Sequence, residues 1–407
     1  MVPLDFPNTC PDNELDLPGI VALLQHNQLA VANQALTGFL AQNEPKSRDR
    51  ACETLLSPTL EALANGDFEA RWLVGKILVQ LGPGAIPTLL ALWEDPTVEM
   101  EQRWFIGKVL AAFPEPVVIA SLAQTLLLPG AEELHTIAAQ SLGQMGPTAI
   151  KPLASLLQYP ENRALATKAL AQIPAAAVID PLLTVVQDAD SQVRTLAITA
   201  LGSFPEERVL PALFQACTDP VSTVRKEAVI ALGNWADRLN SVDLLAYLQP
   251  RLYDLDLGVC QQAALALSRL SGPAVAAALW SAWQAPATPM ALRLTLLQSL
   301  VWLESPLALT YLHQAWPKAQ EIERLEIVRL LGRIKQVELQ RTAAQMLTAW
   351  VPMDLHEDSG QALAKAIAYS WGQLKYTPAV PILQTWANRP EPALHLQARA
   401  ALKHLQA

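Results

Sequence analysis

The sequence predicts an all-α solenoid, a superhelix of about twelve two-helix repeats, and two observations carry that prediction. The first is a register that returns along the chain. Asp188–Gly202 (DADSQVRTLAITALG) overlays Asp219–Gly233 (DPVSTVRKEAVIALG), with Arg194 and Arg225 31 residues apart. The second is composition. Of 407 residues, 51% are hydrophobic, 16% charged and only 6% aromatic. That balance suits close-packed helices better than strands, and it is too apolar for a disordered chain.

Followed in order, the position held by Arg194 passes through Leu29, Arg71, Arg103, His135, Arg163, Arg194, Arg225, Cys260, Arg293, Arg324, Ala364 and His395. The two longest steps, 29 to 71 and 324 to 364, imply insertions near 44–50 and 352–360. The predicted organisation is an N-terminal extension over 1–18 and one solenoid over 19–407, with irregular joints near 44–50, 284–292 and 350–362. Asp188 and Asp219 are placed to cap a helix start. Apolar residues at +3, +6, +7 and +10 from the register position form the buried stripe. Gly202 and Gly233 let two helices approach or end the helix. A second helix follows, with an early proline at Pro87, Pro152, Pro181, Pro211 and Pro381, where the missing N–H has no intrahelical partner. The recurring Arg reads as structural, pairing with the Asp of its own or the next repeat in a ladder along the stack.

The net charge of −9 argues against a nucleic-acid partner, because phosphate binding calls for a basic stripe. The first residues lack the cationic and apolar regions of a signal peptide, and no run approaches the roughly 20 apolar residues of a membrane span. Cys10, Cys52, Cys217 and Cys260 are scattered. They suggest neither a zinc site nor a disulfide framework, and a reducing cytoplasm is the expected compartment. No nucleophile with a base, phosphate loop or HExxH motif is visible, so no catalytic residue or metal ligand is assigned.

Two consecutive repeats carry an unusual sequence. Arg71-Trp72-Leu73-Val74-Gly75-Lys76 is followed by Arg103-Trp104-Phe105-Ile106-Gly107-Lys108. At about 100° per residue, the Trp lies at about 100° and the Lys at about 140° from the Arg, opposite the buried stripe near 290°. Both should face the concave surface, with Gly75 and Gly107 leaving room for something to approach and His135 extending the patch. The candidate ligand- or partner-binding residues are Arg71, Trp72, Lys76, Arg103, Trp104, Lys108 and His135. Indoles flanked by cations suit a planar anionic ligand, or an acidic peptide with an apolar anchor. The competing reading is that each Trp seals a repeat junction while its Lys snorkels. Trp280, Trp283, Trp302, Trp316, Trp350, Trp371 and Trp386 read as packing.

The unit Val193-Arg194, Ala197, Ala200-Leu201-Gly202, then Val209-Leu210-Pro211 and Leu213, returns as Leu81-Gly82-Pro83-Gly84-Ala85-Ile86-Pro87-Thr88-Leu89. It resembles the HEAT-like repeat of phycobilisome lyases, a family largely of cyanobacteria, over nearly the whole chain. The resemblance implies a non-enzymatic scaffold or assembly chaperone without a cofactor. A protein would lie in its concave groove: a phycobiliprotein, an assembly factor, or a second HEAT-repeat subunit. It implies as an alternative a bilin lyase or isomerase subunit that holds a linear tetrapyrrole beside a phycobiliprotein cysteine. Trp72, Lys76, Trp104, Lys108 and His135 would then act through proximity. A di-iron hydroxylase branch of similar repeats carries repeated His-Glu pairs; the single pair His356-Glu357 cannot supply a two-metal site.

Overall fold

The computed structural model describes residues 16–44, 46–239, 241–355 and 357–406. Most of the expected N-terminal extension, with Cys10 and His356, lies outside the described residues. Within them the chain forms 24 α-helices joined by 3₁₀ turns and short loops, with no strand. The fold is an all-α solenoid. All twelve register positions fall within the first two turns of a helix, from Leu29 in Leu29–Gln42 to His395 in Pro392–Gln406.

The stripe at +3, +6, +7 and +10 is what fixes each helix in place. Behind Arg71 it is Val74, Ile77, Leu78 and Leu81, and behind Arg225 it is Ala228, Ala231, Leu232 and Trp235, all buried. The early prolines also fall where expected, with Pro87, Pro211 and Pro381 at helix starts. The structure adds a short 3₁₀ lead-in before these helices, as at Pro83–Ala85, Glu207–Val209 and Thr377–Ala379.

The chain divides into two compact units, Met1–Ala200 and Leu201–Ala407. In the first, the helices Leu29–Gln42, Phe68–Leu81, Met100–Leu110, Glu132–Gln144 and Arg163–Ala171 pack on one another in succession. In the second, the same succession runs through Ser222–Gly233, Leu257–Leu267, Met290–Trp302, Glu321–Leu331, Asp358–Gln373 and Pro392–Gln406. Among the described residues no single helix is long and apolar enough to cross a membrane.

One local expectation is corrected. Asp188 and Asp219 do not cap a helix; each accepts a bond from the backbone N–H two residues on, Asp190 at 2.9 Å and Val221 at 2.8 Å, and so closes the turn before the helix. Near 44–50 the added residues from Lys46 onward start a 20-residue helix, Lys46–Asn65. The later joints are loops, over 285–289 and 351–355.

Candidate functional site

The register side chains do more than form a ladder. Nine of them bond a carbonyl at or just past the end of the preceding helix, where carbonyls lack intrahelical partners. Arg71 Nε donates to Leu63 O at 3.1 Å, Arg103 Nε to Trp93 O at 2.9 Å and Arg163 Nε to Leu157 O at 2.8 Å. Arg194, Arg225, Arg293 and Arg324 do the same to Asp188, Asp219, Trp283 and Trp316. His135 Nε2, 2.8 Å from Leu128 O, and Cys260 Sγ, 3.1 Å from Asp254 O, stand in for Arg in that role.

Several of these arginines also reach the start of the next register helix. Arg71 pairs with Glu99 at 2.8 Å and Glu101 at 2.7 Å, Arg163 with Asp188 at 2.9 Å, Arg225 with Asp254 at 2.6 Å and Arg293 with Glu323 at 2.7 Å. Each such Arg therefore clamps its own helical hairpin and the next repeat together.

This geometry sorts the predicted site residues. Arg71 and Arg103 are only 6% and 8% exposed. They lie largely beneath the surface, Arg71 bonded to Leu63 O, Ala64 O, Glu99 and Glu101 and Arg103 to Trp93 O, so little of either side chain faces solvent. Burial lowers the hold of the Arg103 guanidinium on its proton, and the Asp95 charge opposes that shift. His135 is half-buried and bonded to the backbone as a helix-end staple.

The Trp and Lys positions behave differently. Trp72 is 51% exposed, with the Lys76 ammonium 5.9 Å from its ring centroid. Trp104 is half-buried, edge-on to Phe105 at 4.9 Å and 6.4 Å from Phe68. Lys108 lies 5.4 Å from the Trp104 ring and donates to Gln140 Oε1 at 3.3 Å. The two tryptophans thus differ: Trp104 packs, and Trp72 projects.

Gly75 and Gly107 do not open space for a ligand. A Cβ on Gly107 would sit 2.5 Å from Ile137 Cγ2 and 3.0 Å from the Trp93 ring, and one on Gly75 3.5 Å from Val109 Cγ2. Both face the neighbouring repeat and let helices close on each other.

Two residues missed by the sequence reading complete the patch. Phe68 and Met100, three places before Arg71 and Arg103, are 61% and 38% exposed. Each precedes its Trp by four residues, so the two side chains share a helix face. A crevice of about 330 Å³ at the start of the Phe68–Leu81 helix is lined by Asn27–Val31 with Asp67, Glu69, Ala70 and Leu73. Its acidic wall disfavours an anion there.

Residues 150–233 and 210–293 match the family model described as HEAT repeats. No curated protein matches the chain. Similar solved structures include the karyopherin Kap121p bound to the extreme C-terminus of the protein phosphatase Cdc14p, at 16% identity and a TM-score of 0.50, covering 95% of this chain and 53% of that one. Importin beta is similar at 13% identity and a TM-score of 0.50, covering 95% and 65%. Human deoxyhypusine hydroxylase, at 18% identity, covers 81% and 97%, but its TM-score of 0.28 is too low to carry an argument. These likenesses concern the fold: an α-solenoid built of HEAT repeats.

Proposed function

We propose that this chain is a protein-binding scaffold whose working surface is the exposed face of the register helices between residues 68 and 108. One observation carries the reading: Phe68, Trp72 and Met100 stay in solvent on adjacent helices while the stripe beneath them is buried. Large apolar side chains held together at a surface beside cations mark a place where a partner seats an anchor. Solenoids offer extended surfaces of this kind, and the structure of Kap121p with the Cdc14p terminus is a case of such a fold holding a protein segment.

The resemblance of the repeats to those of phycobilisome lyases supports a phycobiliprotein, or one of its assembly factors, as the partner in the cytoplasm. A second reading, a bilin lyase or isomerase subunit, draws on the pairing of each indole with its own ammonium at 5.9 and 5.4 Å. A flat tetrapyrrole with two propionates could use both groups.

Affinity capture from a cyanobacterial lysate tests the scaffold reading, comparing the native chain with the Trp72→Ala, Trp104→Ala double variant. Phycobiliproteins held by the first and lost by the second are the expected result. Identical captures would overturn the patch as the working surface. Titration with a free linear tetrapyrrole tests the second reading: a sharpened, red-shifted absorption that disappears in the double variant would favour it.

A further inference from the structure

The exposed face of the register helices in the first unit carries a repeated order of charge. Two places before the register residue stand Glu69, Glu101, Glu133 and Glu161; five places after it stand Lys76, Lys108, Gln140 and Lys168. Seven residues make two helical turns, so in the first three helices each acid lies on the same face as its Lys or Gln, nearer the helix N-terminus, while Glu161 stands in the 3₁₀ turn Pro160–Asn162 that leads into the fourth. The four glutamates, Lys76 and Lys168 are exposed, and Lys108 and Gln140 are half-buried. The bond from Lys108 to Gln140 shows that these positions meet from helix to helix. Between the two charged rows sit Trp72 and Trp104, with Phe68 and Met100 just beyond the acidic row. The face thus presents an acidic row and a cationic row across the stack, with an apolar centre on its first two helices.

The spacing of the rows selects the form of the occupant. Packed helices lie about 8–10 Å apart. A partner helix rises about 1.5 Å per residue, so about seven residues span one repeat and return to the same face. An extended chain, at about 3.3 Å per residue, spans it in about three, and the third side chain points away. Resting on the scaffold reading, we infer that this face takes one helical segment of a protein partner, laid across the register helices. Its apolar stripe sits over Trp72 and Trp104, its acidic flank runs along Lys76, Lys108 and Lys168, and its basic flank runs along the glutamates. Because the two flanks differ, the order of charge around the partner helix fixes the direction in which it lies.

The probes are labelled peptides of four heptads with a leucine stripe, glutamate on one flank and lysine on the other, read by fluorescence anisotropy against the full chain. A second peptide of the same composition carries prolines that prevent a helix, and a third carries lysine on both flanks. The expected result is binding of the first alone, weakened at least about tenfold by Lys76→Glu with Lys108→Glu. Thermal melting of that variant confirms that these two surface changes leave the fold intact. Equal binding of the proline peptide, equal binding by the charge-reversed variant, or no binding of the first peptide would overturn the inference. If the lysate partner is still captured through Trp72 in those cases, the scaffold reading survives and only the helical occupant is lost. If capture no longer depends on Trp72, both fall.

Discussion

The Arg225 guanidinium and the Asp254 carboxylate meet fork to fork, Nε to Oδ2 at 2.8 Å and Nη2 to Oδ1 at 2.6 Å. This one contact joins two repeats, since Arg225 also bonds its own hairpin through Asp219 O and Asp254 also accepts from the Asp256 N–H. Burial alone would raise the Asp254 carboxyl, but the bonds from Arg225 and Asp256 and the charges of Arg225 and Arg251 outweigh it and hold it below the usual carboxylate range. A lowered carboxylate contributes stability above its unfolded value, about 4, and loses it as pH falls through the folded value. Asp254→Asn is therefore expected to cost about 2–4 kcal/mol at neutral pH. Denaturant unfolding at pH 7 and pH 3 checks this: the gap between variant and native chain should narrow at pH 3.

Glu323 is fully buried and accepts from Trp283 Nε1 at 3.0 Å, from Arg293 at 2.7 and 3.2 Å, and from the Gln320 N–H at 2.8 Å. Glu323→Ala leaves Arg293 and the indole without their acceptor and should cost about 3–5 kcal/mol. Glu323→Gln, which keeps an acceptor oxygen but loses the charge, should cost less. The two midpoints of unfolding, compared side by side, decide this.

Gly107 and Gly75 occupy the same place in adjacent repeats and should answer differently to alanine. At Gly107 the new methyl meets a branched, buried side chain and an indole, so Gly107→Ala is expected to destabilise by about 1–3 kcal/mol. At Gly75 the nearest atom is at ordinary contact distance, and removing a mid-helix glycine should stabilise by up to about 1 kcal/mol. Opposite signs in thermal melting are the expected outcome.

Trp72 and Trp104 should separate stability from binding. Trp72→Ala is expected to change unfolding by less than about 1 kcal/mol while abolishing capture of the partner. Trp104→Ala, which removes a ring packed on Phe105 and near Phe68, should cost about 2–3 kcal/mol. Melting and capture measured on the same preparations distinguish the two roles.

Burial pushes the Cys217 thiol up to about 12, and also raises Cys52 and Cys260. The thiolate is the reactive form. None of the three should be alkylated in the folded chain at pH 8, and all should be once it is unfolded, as read by peptide mass spectrometry.

The repeat was legible in the sequence because Arg163, Arg194 and Arg225 stand at one interval and carry the same apolar spacing behind them. That interval follows from a hairpin of fixed size, and it placed all twelve register helices. What the sequence hid were partners that only packing brings together. Glu99 and Glu101 lie 28 and 30 residues from Arg71, and only the packing of the next repeat brings them to it. Gly107 reads as open space because Ile137 lies 30 residues away. The candidate patch was half legible: helical angles turned Trp72 and Lys76 outward, but the same angles could not say that Trp104 would lean onto Phe68. Phe68 and Met100 shared the register offset all along, though at the first turn of a helix an apolar residue usually turns inward.

The staples from register side chain to helix end also set how the molecule comes apart. Leu29 and Ala364 have no side-chain donor, so their repeats lack the clamp that Arg71 through Arg324 provide. In an array where each repeat holds only its neighbours, opening starts where such couplings are missing. The hairpins of Leu29 and Ala364 should exchange their amide hydrogens before the repeats that a register side chain staples.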